Sequence, residues 1–387
     1  MKILHVINGA HFGGASVMAV ELAIEQRKFG VDSQVCLLEG GATTQRIRDL
    51  GVPVFDYDLL ATFPSKRQRW EALSLGFNEI CEGYKPDILH SHFALSNIMC
   101  ARWKKKRNTK WIATLHGSWR QYMFAPETTN AAWRKPHLLL RYALGVTWTT
   151  RRADMIVTMS QSASKDWQKV GLSETRIRVI PNGISVSLAD DQEFQTKAIF
   201  QHKMIVLGSL GYLAPVKGFD LLIAAFDKIS SKHPNAQLVI AGGDVLGNTT
   251  ERNKLHRMIH ASSASQRITL LDEQIHGTKF LETLDGFVLA SRSEGLSLAL
   301  LEAMHLGLPC VVSSAGGNPE AIRNSIDGFV FNSGSIEDLA DKLDLLLSDR
   351  EIAKKMGASG RKRAREVYSM KNCAAEYVAL YEKLLGS

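Results

Sequence analysis

The strongest constraint on the fold of this 387-residue chain is the regular alternation of short apolar runs with amphipathic helical patterns. Near the start, Ile3–Ile7 has the pattern of a strand, Ser16–Phe29 that of a helix, and Ser33–Leu38 that of the next strand. Such alternation is typical of a parallel sheet covered by helices on both faces. The pattern continues with predicted strands over Asp87–His92, Trp111–His116, Met155–Ser160 and Arg178–Ile180.

The same alternation starts again in the second half of the chain, where Phe219–Ile229 has helical spacing. We therefore predict an α/β fold of two Rossmann-like, doubly wound domains, which fits a chain of this length. A polar stretch around Asp190–Glu193 separates the expected domains at 1–190 and 191–370, and 371–387 forms a C-terminal helical segment. The predicted strands of the second half are Met204–Leu207, Gln237–Ala241, Arg267–Leu271, Gly286–Ala290 and Pro309–Ser313.

The basic charge of the chain is concentrated in its first half. Residues 1–190 carry 25 basic and 16 acidic side chains, a net charge of +9. Residues 191–387 carry 22 basic and 23 acidic side chains, a net charge of −1. A one-sided excess of this kind indicates a polyanionic partner, either a nucleic acid or an anionic membrane surface.

The sequence carries no sign of a membrane span or of an oxidising compartment. No apolar run approaches the ~18–20 residues of a membrane-spanning helix, and the apolar start is too short for the core of a signal peptide. The five cysteines are scattered without a Cys-x-x-Cys pair, which favours reduced thiols over disulfides or a structural zinc site. We therefore expect a cytoplasmic protein.

Two glycine-containing loops that follow predicted strands are candidate phosphate sites. In parallel sheets, ligands bind beyond the carboxyl ends of the strands, where backbone N–H groups and helix N-termini attract anions. The loop Asn8–Ala15 contains Gly13 and Gly14, and a tight strand-to-helix turn explains it equally well. The loop Gly208–Gly218 places Lys217 at the head of a helix, where it suits a diphosphate, although a surface lysine is the simpler interpretation.

Two glutamates after the predicted strand Gly286–Ala290 give the most specific signal. Glu294 falls in the loop and Glu302 in the following helix, which is expected to begin near Ser297. Their separation is about two helical turns, so they share a face if the helix covers the interval. Glu302 lies in the apolar run Leu300–Met304, and a buried carboxylate needs donors such as ribose hydroxyls. The alternative is that the two glutamates form no site: one is an acid favoured by the dipole at the start of the helix, and the other is an exposed surface residue.

These motifs together resemble the retaining glycosyltransferases of family 4, whose GT-B fold has two Rossmann-like domains facing a cleft. The resemblance covers nearly the whole chain, and its most specific element is the Glu-x7-Glu motif at Glu294 and Glu302. The other matching elements follow in the family's order: Gly13-Gly14, Pro181–Ile184, Lys217-Gly218, and Gly316-Gly317 with Glu320.

The resemblance implies that a nucleotide-sugar donor lies in the cleft, mostly on the C-terminal domain. Glu302 would bind the ribose hydroxyls, Glu294 would approach the donor sugar, and Lys217 would neutralise the diphosphate. The backbone amides near the sugar and the phosphates would be those of Gly295, Leu296, Ser297 and Leu298.

The resemblance also implies that the C-terminal helix over 371–387 returns to the N-terminal domain, and it assigns residues of that domain. Gly13 and Gly14 would meet the donor from that side, and His116 in Thr114–Gly117 matches a family histidine that faces the donor sugar. The reaction would retain the α configuration of the sugar. The family needs no bound metal ion, so no metal site and no cofactor are expected.

Two positions depart from the family pattern. Tyr212 stands where the family commonly has an arginine that also contacts phosphate. Either Lys217 acts alone, or Arg292 or another base compensates, or donor affinity is weaker. The stretch Leu270–Glu273 replaces a Leu-Gly pair that is usual near the base pocket, so we do not assign the nucleotide.

Two pairs of histidines favour structural roles over metal binding. His90 and His92 lie two residues apart at a strand end and are interpreted as a wall of the cleft, with a metal pair as the lesser alternative. His256 and His260 have helical spacing without a Glu-x-x-His context, which fits a solvated helix face.

Three clusters hold much of the N-terminal basic charge: Arg102–Trp111, Lys66–Trp70 and Trp133–Tyr142. Each mixes cations with aromatic residues, which suits an anionic leaflet, although core tryptophans under a solubilising surface explain any single cluster equally well. Taken together, the clusters predict peripheral contact with the inner face of the membrane. Nucleic-acid binding is disfavoured because no nucleic-acid-binding motif accompanies the charge.

We predict a glycosyltransferase that moves a hexose from a nucleotide sugar to a lipid-linked or polysaccharide acceptor in cell-surface glycan synthesis. A nucleotide-sugar epimerase or a phosphorylase of the same fold is the nearest alternative. A non-catalytic protein that binds anionic membrane surfaces is the alternative from a different class. The sequence does not identify the sugar, the nucleotide or the acceptor.

Overall fold

The computed structural model describes residues 1–8, 13–38, 42–56, 66–105, 107–124, 136–185, 204–244, 247–271 and 277–386. The chain divides into two compact units. Unit 1 comprises Met1–Gly117, Leu140–Ser185 and Ser369–Ser387, and unit 2 comprises Ser118–Leu139 and Val186–Tyr368. The last helix of the chain therefore belongs to unit 1.

Unit 1 is built on a parallel sheet of seven strands. The strands are β1 (Lys2–Ile7), β2 (Asp32–Leu37), β3 (Val54–Asp56), β4 (Ile88–Ser91), β5 (Lys110–Leu115), β6 (Met155–Thr158) and β7 (Ile177–Val179). Their order in the sheet is β3-β2-β1-β4-β5-β6-β7. The order reverses direction between β1 and β4, so this is the point where a doubly wound sheet opens a ligand crevice.

The helices of the first half of the chain cover this sheet. They are α1 (Gly14–Lys28), α2 (Ala42–Asp49), α3 (Lys66–Tyr84), α4 (Ala94–Lys104), α5 (Pro136–Thr150) and α6 (Gln161–Gln168). Because helices lie on both faces, the central strands are buried along most of their length, and Ile3, Leu4, Val6 and Ile7 of β1 are all fully buried.

Unit 2 has a parallel sheet of six strands. They are β8 (Ile205–Leu210), β9 (Ala236–Ala241), β10 (Ile268–Leu271), β11 (Gly286–Leu289), β12 (Cys310–Ser313) and β13 (Gly328–Phe331). The order is β10-β9-β8-β11-β12-β13, which is the Rossmann order, and its switch point lies between β8 and β11. The predicted fold class is confirmed.

The helices that follow cover the second sheet. They are α7 (Phe219–Ile229), α8 (Thr250–Ala261), α9 (Gly277–Leu281), α10 (Leu298–Leu306), α11 (Asn318–Ala321), α12 (Ile336–Ser348) and α13 (Arg350–Val367). Apolar residues on α7 pack on the sheet and on α12; Phe219, Leu222 and Phe226 are almost completely buried.

The C-terminal helix α14 (Met370–Leu385) packs against α1 in unit 1. Its start is fixed by the stretch after β7, where the Met370 N–H donates to the Ile184 carbonyl at 2.9 Å. A Cβ on Gly183 would lie 2.6 Å from the Met370 Cα, so only glycine permits this approach. The Pro181–Ile184 motif therefore serves to dock this helix.

No helix in the described part of the chain is long and apolar enough to cross a membrane. The five cysteines are all buried and free.

Candidate functional site

The loops after β8 and β11 meet at the switch point of unit 2. The first loop ends in a 3₁₀ turn over Pro215–Lys217, and the second runs from Ala290 to Ser297. The two are joined by the Arg292 N–H, which donates to the Val216 carbonyl at 2.7 Å. This contact also brings together Lys217 and Glu294, which lie 77 positions apart in the sequence.

Lys217 and Glu294 form an ion pair in these loops. The Lys217 Nζ donates to Glu294 Oε1 at 2.6 Å, and the Ser291 hydroxyl donates to the same oxygen at 2.7 Å. Only 13% and 9% of the two side chains is exposed, so water screens the pair weakly. Burial lowers the pKa of Lys217, but Glu294 and Tyr212 together raise it by more, and the net shift is upward. Lys217 is thus a fixed positive charge at neutral pH.

Tyr212 stands beside this cation. The Lys217 Nζ lies 5.0 Å from the centroid of the Tyr212 ring, a distance that allows a cation–π interaction. Tyr212 is 48% exposed, so part of its surface next to the ammonium is open to solvent.

Arg292 does not take over the place of the missing arginine. Its guanidinium binds both Asp220 oxygens at 2.8 and 2.9 Å and donates to the Pro215 carbonyl at 2.6 Å. Asp220 also accepts from Lys254 at 2.8 Å. Arg292 therefore holds the turn that carries Lys217 against the first turn of α7.

Glycines allow the site loops to pack backbone on backbone. Gly218 has a φ of +66°, and a Cβ there would lie 2.1 Å from the Ala290 carbonyl oxygen. Gly316 has a φ of +56°, and its Cβ would lie 1.8 Å from the Glu294 carbonyl oxygen. The Gly317 N–H donates to the Gly295 carbonyl at 2.9 Å. The Gly316-Gly317 turn therefore packs against the Glu294 loop and helps to fix its conformation.

Glu302 lies on α10, close to the start of α9. It is half-buried, and within the described residues no hydrogen bond or ion pair satisfies its carboxylate. Burial raises its pKa. A Cβ on Gly277 would lie 3.8 Å from Glu302 Oε2, so the carboxylate faces the N-terminus of α9. Such a group needs hydrogen-bond donors from elsewhere.

The helical relation that would place Glu294 and Glu302 on one face does not hold. Helix α10 begins at Leu298, and the Ser297 hydroxyl caps it by accepting from the Leu300 N–H at 3.4 Å. Glu294 lies before the helix, so its position is set by the loop contacts instead. Leu296 and Ser297 are buried. The backbone of this stretch lies at the N-terminus of α10.

In unit 1, the structure describes only part of the first predicted loop. Residues 9–12 lie outside the described part of the chain. Gly13 is the N-cap of α1, and its carbonyl accepts from the Ser16 and Val17 N–H groups at 2.9 and 3.0 Å. Gly14 is the first residue of the helix.

His116 follows β5 and belongs to a hydrogen-bonded network of three histidines. Its Nε2 lies 3.0 Å from His92 Nδ1, and His92 Nε2 lies 3.0 Å from His5 Nδ1. His5 Nε2 lies 2.9 Å from Gln26 Oε1. Burial lowers the pKa of both His5 and His116 to about 4, so these rings are neutral at pH 7.

His90 lies next to this network but bonds elsewhere. Its Nδ1 lies 2.7 Å from the Tyr381 hydroxyl and its Nε2 lies 2.7 Å from the Thr114 hydroxyl. Ring nitrogens of His5, His90 and His92 lie within 4.8 Å of one another, a spacing that could hold a metal ion. All six of these nitrogens have hydrogen-bond partners, so the arrangement is a polar network within the core.

Sequence reasoning missed His5 and Gln26. One signal was available: β1 and β4 are adjacent, and His5 and His90 are partners in their register. Two histidines at matching positions of neighbouring buried strands indicate a shared polar cluster.

The tryptophans of the cluster Arg102–Trp111 are not interfacial. Trp103 and Trp111 are 7% and 0% exposed, so they are core residues, and Arg107 covers the Trp103 ring at 4.9 Å from its centroid. Residues 133–135 and Lys106 lie outside the described part of the chain.

An exposed apolar stripe lies instead on α5. Leu140, Leu144 and Trp148 are 48%, 49% and 59% exposed and are spaced four residues apart, so they line one face of the helix. We call these three residues the α5 stripe. The Arg152 guanidinium lies 5.6 Å from the centroid of the Trp148 ring.

Comparisons with known proteins agree with this architecture. Residues 12–188 match the family model described as Glycosyltransferase Family 4, and residues 190–363 match the model described as Glycosyl transferases group 1. Together the two models span nearly the whole chain.

Individual relatives point the same way. The chain is 23% identical over 320 residues to N-acetyl-alpha-D-glucosaminyl L-malate synthase of Bacillus anthracis, covering 81% of this chain and 79% of that protein. It is 29% identical over 198 residues to spore coat protein SA of Bacillus subtilis, covering 50% of this chain and 52% of that protein.

Solved structures share the fold. The Anabaena protein HepE in complex with UDP and glucose superposes with a TM-score of 0.81 at 19% identity, covering 98% of this chain and 99% of that one. Sucrose-phosphate synthase from Thermosynechococcus elongatus has a TM-score of 0.81 at 17% identity, with 100% of each chain covered. The chain belongs to glycosyltransferase family 4 and is a transferase enzyme of the GT-B fold.

Proposed function

We propose that this glycosyltransferase moves a hexose from a nucleotide-sugar donor to a lipid-linked or polysaccharide acceptor in cell-surface glycan synthesis, with retention of configuration. The observation that carries the proposal is the group at the switch point of unit 2. There a partly buried cation, Lys217, lies beside Glu294, and the helix that follows carries Glu302, whose carboxylate has no hydrogen-bond partner among the described residues.

Lys217 is proposed to bind the donor diphosphate. An ammonium group has three N–H donors, and Glu294 takes one of them, which leaves two for phosphate oxygens. The low exposure of Lys217 strengthens the attraction between its ammonium group and a bound dianion. In this proposal the positive charge at the diphosphate comes from Lys217 and from the backbone N–H groups of Gly295–Leu298, with no metal ion.

Glu302 is proposed to bind the ribose. Its carboxylate is partly desolvated without compensation, and two ribose hydroxyls would supply the missing donors. The solved structure of HepE contains UDP, so a UDP-sugar is the first donor to test.

The proposed transfer exchanges one bond at the anomeric carbon for another. The bond from that carbon to the phosphate oxygen breaks, and a bond to the acceptor oxygen forms on the same face. The acceptor proton passes to the leaving phosphate oxygen, and Lys217 stabilises the charge that develops on the diphosphate. Glu294 is held beside the sugar by Lys217 and by the Ser291 hydroxyl.

We also propose that unit 1 contacts an anionic membrane surface through the α5 stripe. Arg151 and Arg152 are exposed at the end of this helix. A groove of about 460 Å³ is lined by four basic residues, Arg102, Lys105, Arg107 and Arg152, and by one acidic residue, Glu82. Apolar side chains flanked by cations suit the interface of an anionic leaflet, where each cation contributes about 1 kcal/mol. This supports a peripheral protein at the inner membrane face.

Three alternatives lead to different products or to none. A nucleotide-sugar epimerase would return an isomerised donor, and a phosphorylase would release a sugar phosphate. A non-catalytic membrane-binding protein would keep its activity in cells when Glu294→Gln and Lys217→Ala are introduced. The proposed transferase loses its activity in both variants.

A thermal-shift screen against UDP-, GDP-, ADP- and dTDP-sugars tests the donor site. The matching nucleotide should raise the melting temperature, because a ligand at 100 times its Kd adds about 2.7 kcal/mol of stability. Lys217→Met removes a charge-assisted hydrogen bond and should weaken donor binding about 10- to 100-fold.

Lys232→Met is the matched control, because Lys232 is an exposed lysine of unit 2 that pairs with Asp344 at 2.6 Å. It should bind the donor as the wild type does. The proposal fails if no nucleotide sugar stabilises the protein, or if Lys217→Met binds the donor as tightly as Lys232→Met does.

A further inference from the structure

A chain of hydrogen bonds runs through the core of unit 1 to His116. It starts at Gln26 on α1, passes through His5 on β1 and His92 after β4, and ends at His116 after β5. Each step is 2.9–3.0 Å long. His5 and His92 are buried, so water does not compete for these bonds.

The starting point of the chain gives it a direction. Gln26 Oε1 accepts from the Ser33 hydroxyl at 2.7 Å, and Gln26 Nε2 donates to the Tyr381 hydroxyl at 3.1 Å. The oxygen faces His5 Nε2, and an amide oxygen only accepts. His5 therefore carries its hydrogen on Nε2.

The direction then passes from ring to ring. A neutral imidazole has one N–H donor and one acceptor nitrogen. With its hydrogen on Nε2, His5 presents Nδ1 as an acceptor, so His92 must donate from Nε2. His92 in turn presents Nδ1 as an acceptor, and His116 must donate to it from Nε2.

Exchanging the oxygen and nitrogen positions of the Gln26 amide would reverse donor and acceptor in each of these three hydrogen bonds. The Ser33 hydroxyl would then face an NH₂ group, and its hydrogen would have no acceptor among the described residues. A buried hydroxyl without an acceptor costs about 1–3 kcal/mol, which favours the first arrangement.

The half-buried His116 ring uses only one of its two nitrogens in this chain of hydrogen bonds. Its Nδ1 has no hydrogen-bond partner within the described part of the chain. The ring plane is held by stacking on His92 and Phe93, with centroids 5.3 and 5.9 Å away and interplanar angles of 28°.

We propose that Gln26, His5 and His92 are positioning residues that fix His116 in the tautomer with hydrogen on Nε2, so that Nδ1 accepts a hydrogen bond from a substrate hydroxyl. The part concerning the substrate rests on the proposed transferase function. The opposite tautomer would present an N–H at the same place and would not accept from a hydroxyl.

Nitrogen NMR reads the tautomer directly, without any assay of activity. The protein is labelled with ¹⁵N-histidine, and long-range ¹H–¹⁵N correlation distinguishes protonated from unprotonated ring nitrogens. The His116 signals are assigned by their loss in His116→Asn. We expect wild-type His116 to be protonated on Nε2 and not on Nδ1. Protonation on Nδ1, or an equal mixture, overturns the proposal.

Variants of His92 separate positioning from packing. His92→Leu removes the acceptor and should give a mixture of His116 tautomers, whereas His92→Asn restores an acceptor oxygen near the Nδ1 position and should keep the original tautomer. His233→Leu is the control, because His233 is also a buried histidine but lies in unit 2, where its Nε2 bonds to Asp344 at 2.6 Å. An unchanged His116 tautomer in His92→Leu would contradict the proposal.

Kinetics test the part that concerns the substrate. In His92→Leu the KM of one substrate should rise about tenfold, the effect of one lost hydrogen bond, and His92→Asn should restore it. If His116→Asn leaves all kinetic constants unchanged, no substrate hydroxyl binds at Nδ1. If the wild type transfers no sugar, the proposed function fails, whereas the NMR result still decides the tautomer.

Discussion

The pairing of Lys217 with Glu294 shows what a residue pattern can and cannot predict. Motifs in separate loops predict both as site residues, Lys217 for the diphosphate and Glu294 for the donor sugar. The structure places Lys217 Nζ 2.6 Å from Glu294 Oε1, so the two act as one group. The contact depends on loops from non-consecutive strands, β8 and β11, and no local sequence pattern reports such a distance.

The buried histidines predict a dependence of stability on pH. Burial lowers the pKa of His5 in the folded protein to about 4, whereas in the unfolded chain it is near 6.5. Between these values the unfolded state binds the additional proton, so the free energy of unfolding falls as the pH falls. His5 alone should account for roughly 2 kcal/mol between pH 6.5 and pH 5. Urea denaturation across this range measures the loss.

A variant isolates the contribution of this residue. His5→Gln has no group to titrate at this position, so its stability should depend less steeply on pH than that of the wild type. Wild-type stability that stays constant from pH 7 to pH 5 would contradict a neutral, buried network.

Among the secondary-structure elements, eleven of the thirteen described strands could be predicted from the sequence and two edge strands could not. The predicted strand Gln237–Ala241 is observed as β9 over Ala236–Ala241, because a strand buried on both faces is a distinct apolar run. The sequence does not predict β3 and β13, which have three and four residues and lie at the edges of their sheets. Length and edge position alone do not explain this, because the equally short edge strands β7 and β10 are predicted.

Helix α5 carries exposed apolar residues that the sequence does not predict. The sequence predicts membrane contact through tryptophans that lie among cations, but in the structure Trp103 and Trp111 are buried. The sequence does not mark Trp148 in the same way, because its nearest cations are only Arg151 and Arg152. Its exposure follows from helical spacing with Leu140 and Leu144, and only the packed fold shows which face is left uncovered.

The α5 stripe predicts binding to anionic vesicles. Replacing Leu144 and Trp148 by Ser removes two exposed apolar side chains and should weaken binding by tenfold or more, because each buried apolar side chain contributes about 1.5–3 kcal/mol. Arg151→Gln with Arg152→Gln should weaken it further and reduce its sensitivity to salt. Sedimentation with vesicles that contain an anionic phospholipid measures both effects.

Leu345→Ser is the control for a general change in surface hydrophobicity. Leu345 is 49% exposed, as Leu144 is, but lies on α12 in unit 2. Its replacement should leave vesicle binding unchanged. Equal binding by the wild type and the Leu144/Trp148 variant would remove the stripe from the membrane proposal.

On the scale of the whole molecule, the division of charge is consistent with a division of tasks. The +9 charge of residues 1–190 accompanies the α5 stripe and the cationic groove beside it, whereas residues 191–387, at −1, hold the proposed donor site through a few local contacts. Salt should therefore weaken membrane engagement more than donor binding. The two-sheet architecture was predictable because the β-α alternation repeats along the chain. The network from Gln26 to Tyr381 was not, since it joins residues 355 positions apart.

Transfer of a labelled sugar tests the central claim most directly. The protein is incubated with the nucleotide sugar that stabilises it, labelled in the hexose, and with membrane or glycan acceptors, and the labelled product is analysed for its anomeric configuration. We predict that label moves to an acceptor with the α configuration retained in the wild type, and that Glu294→Gln and Lys217→Met abolish the transfer. Label that remains in an epimerised donor or in free sugar phosphate, or that reaches the acceptor with inverted configuration, would contradict the account.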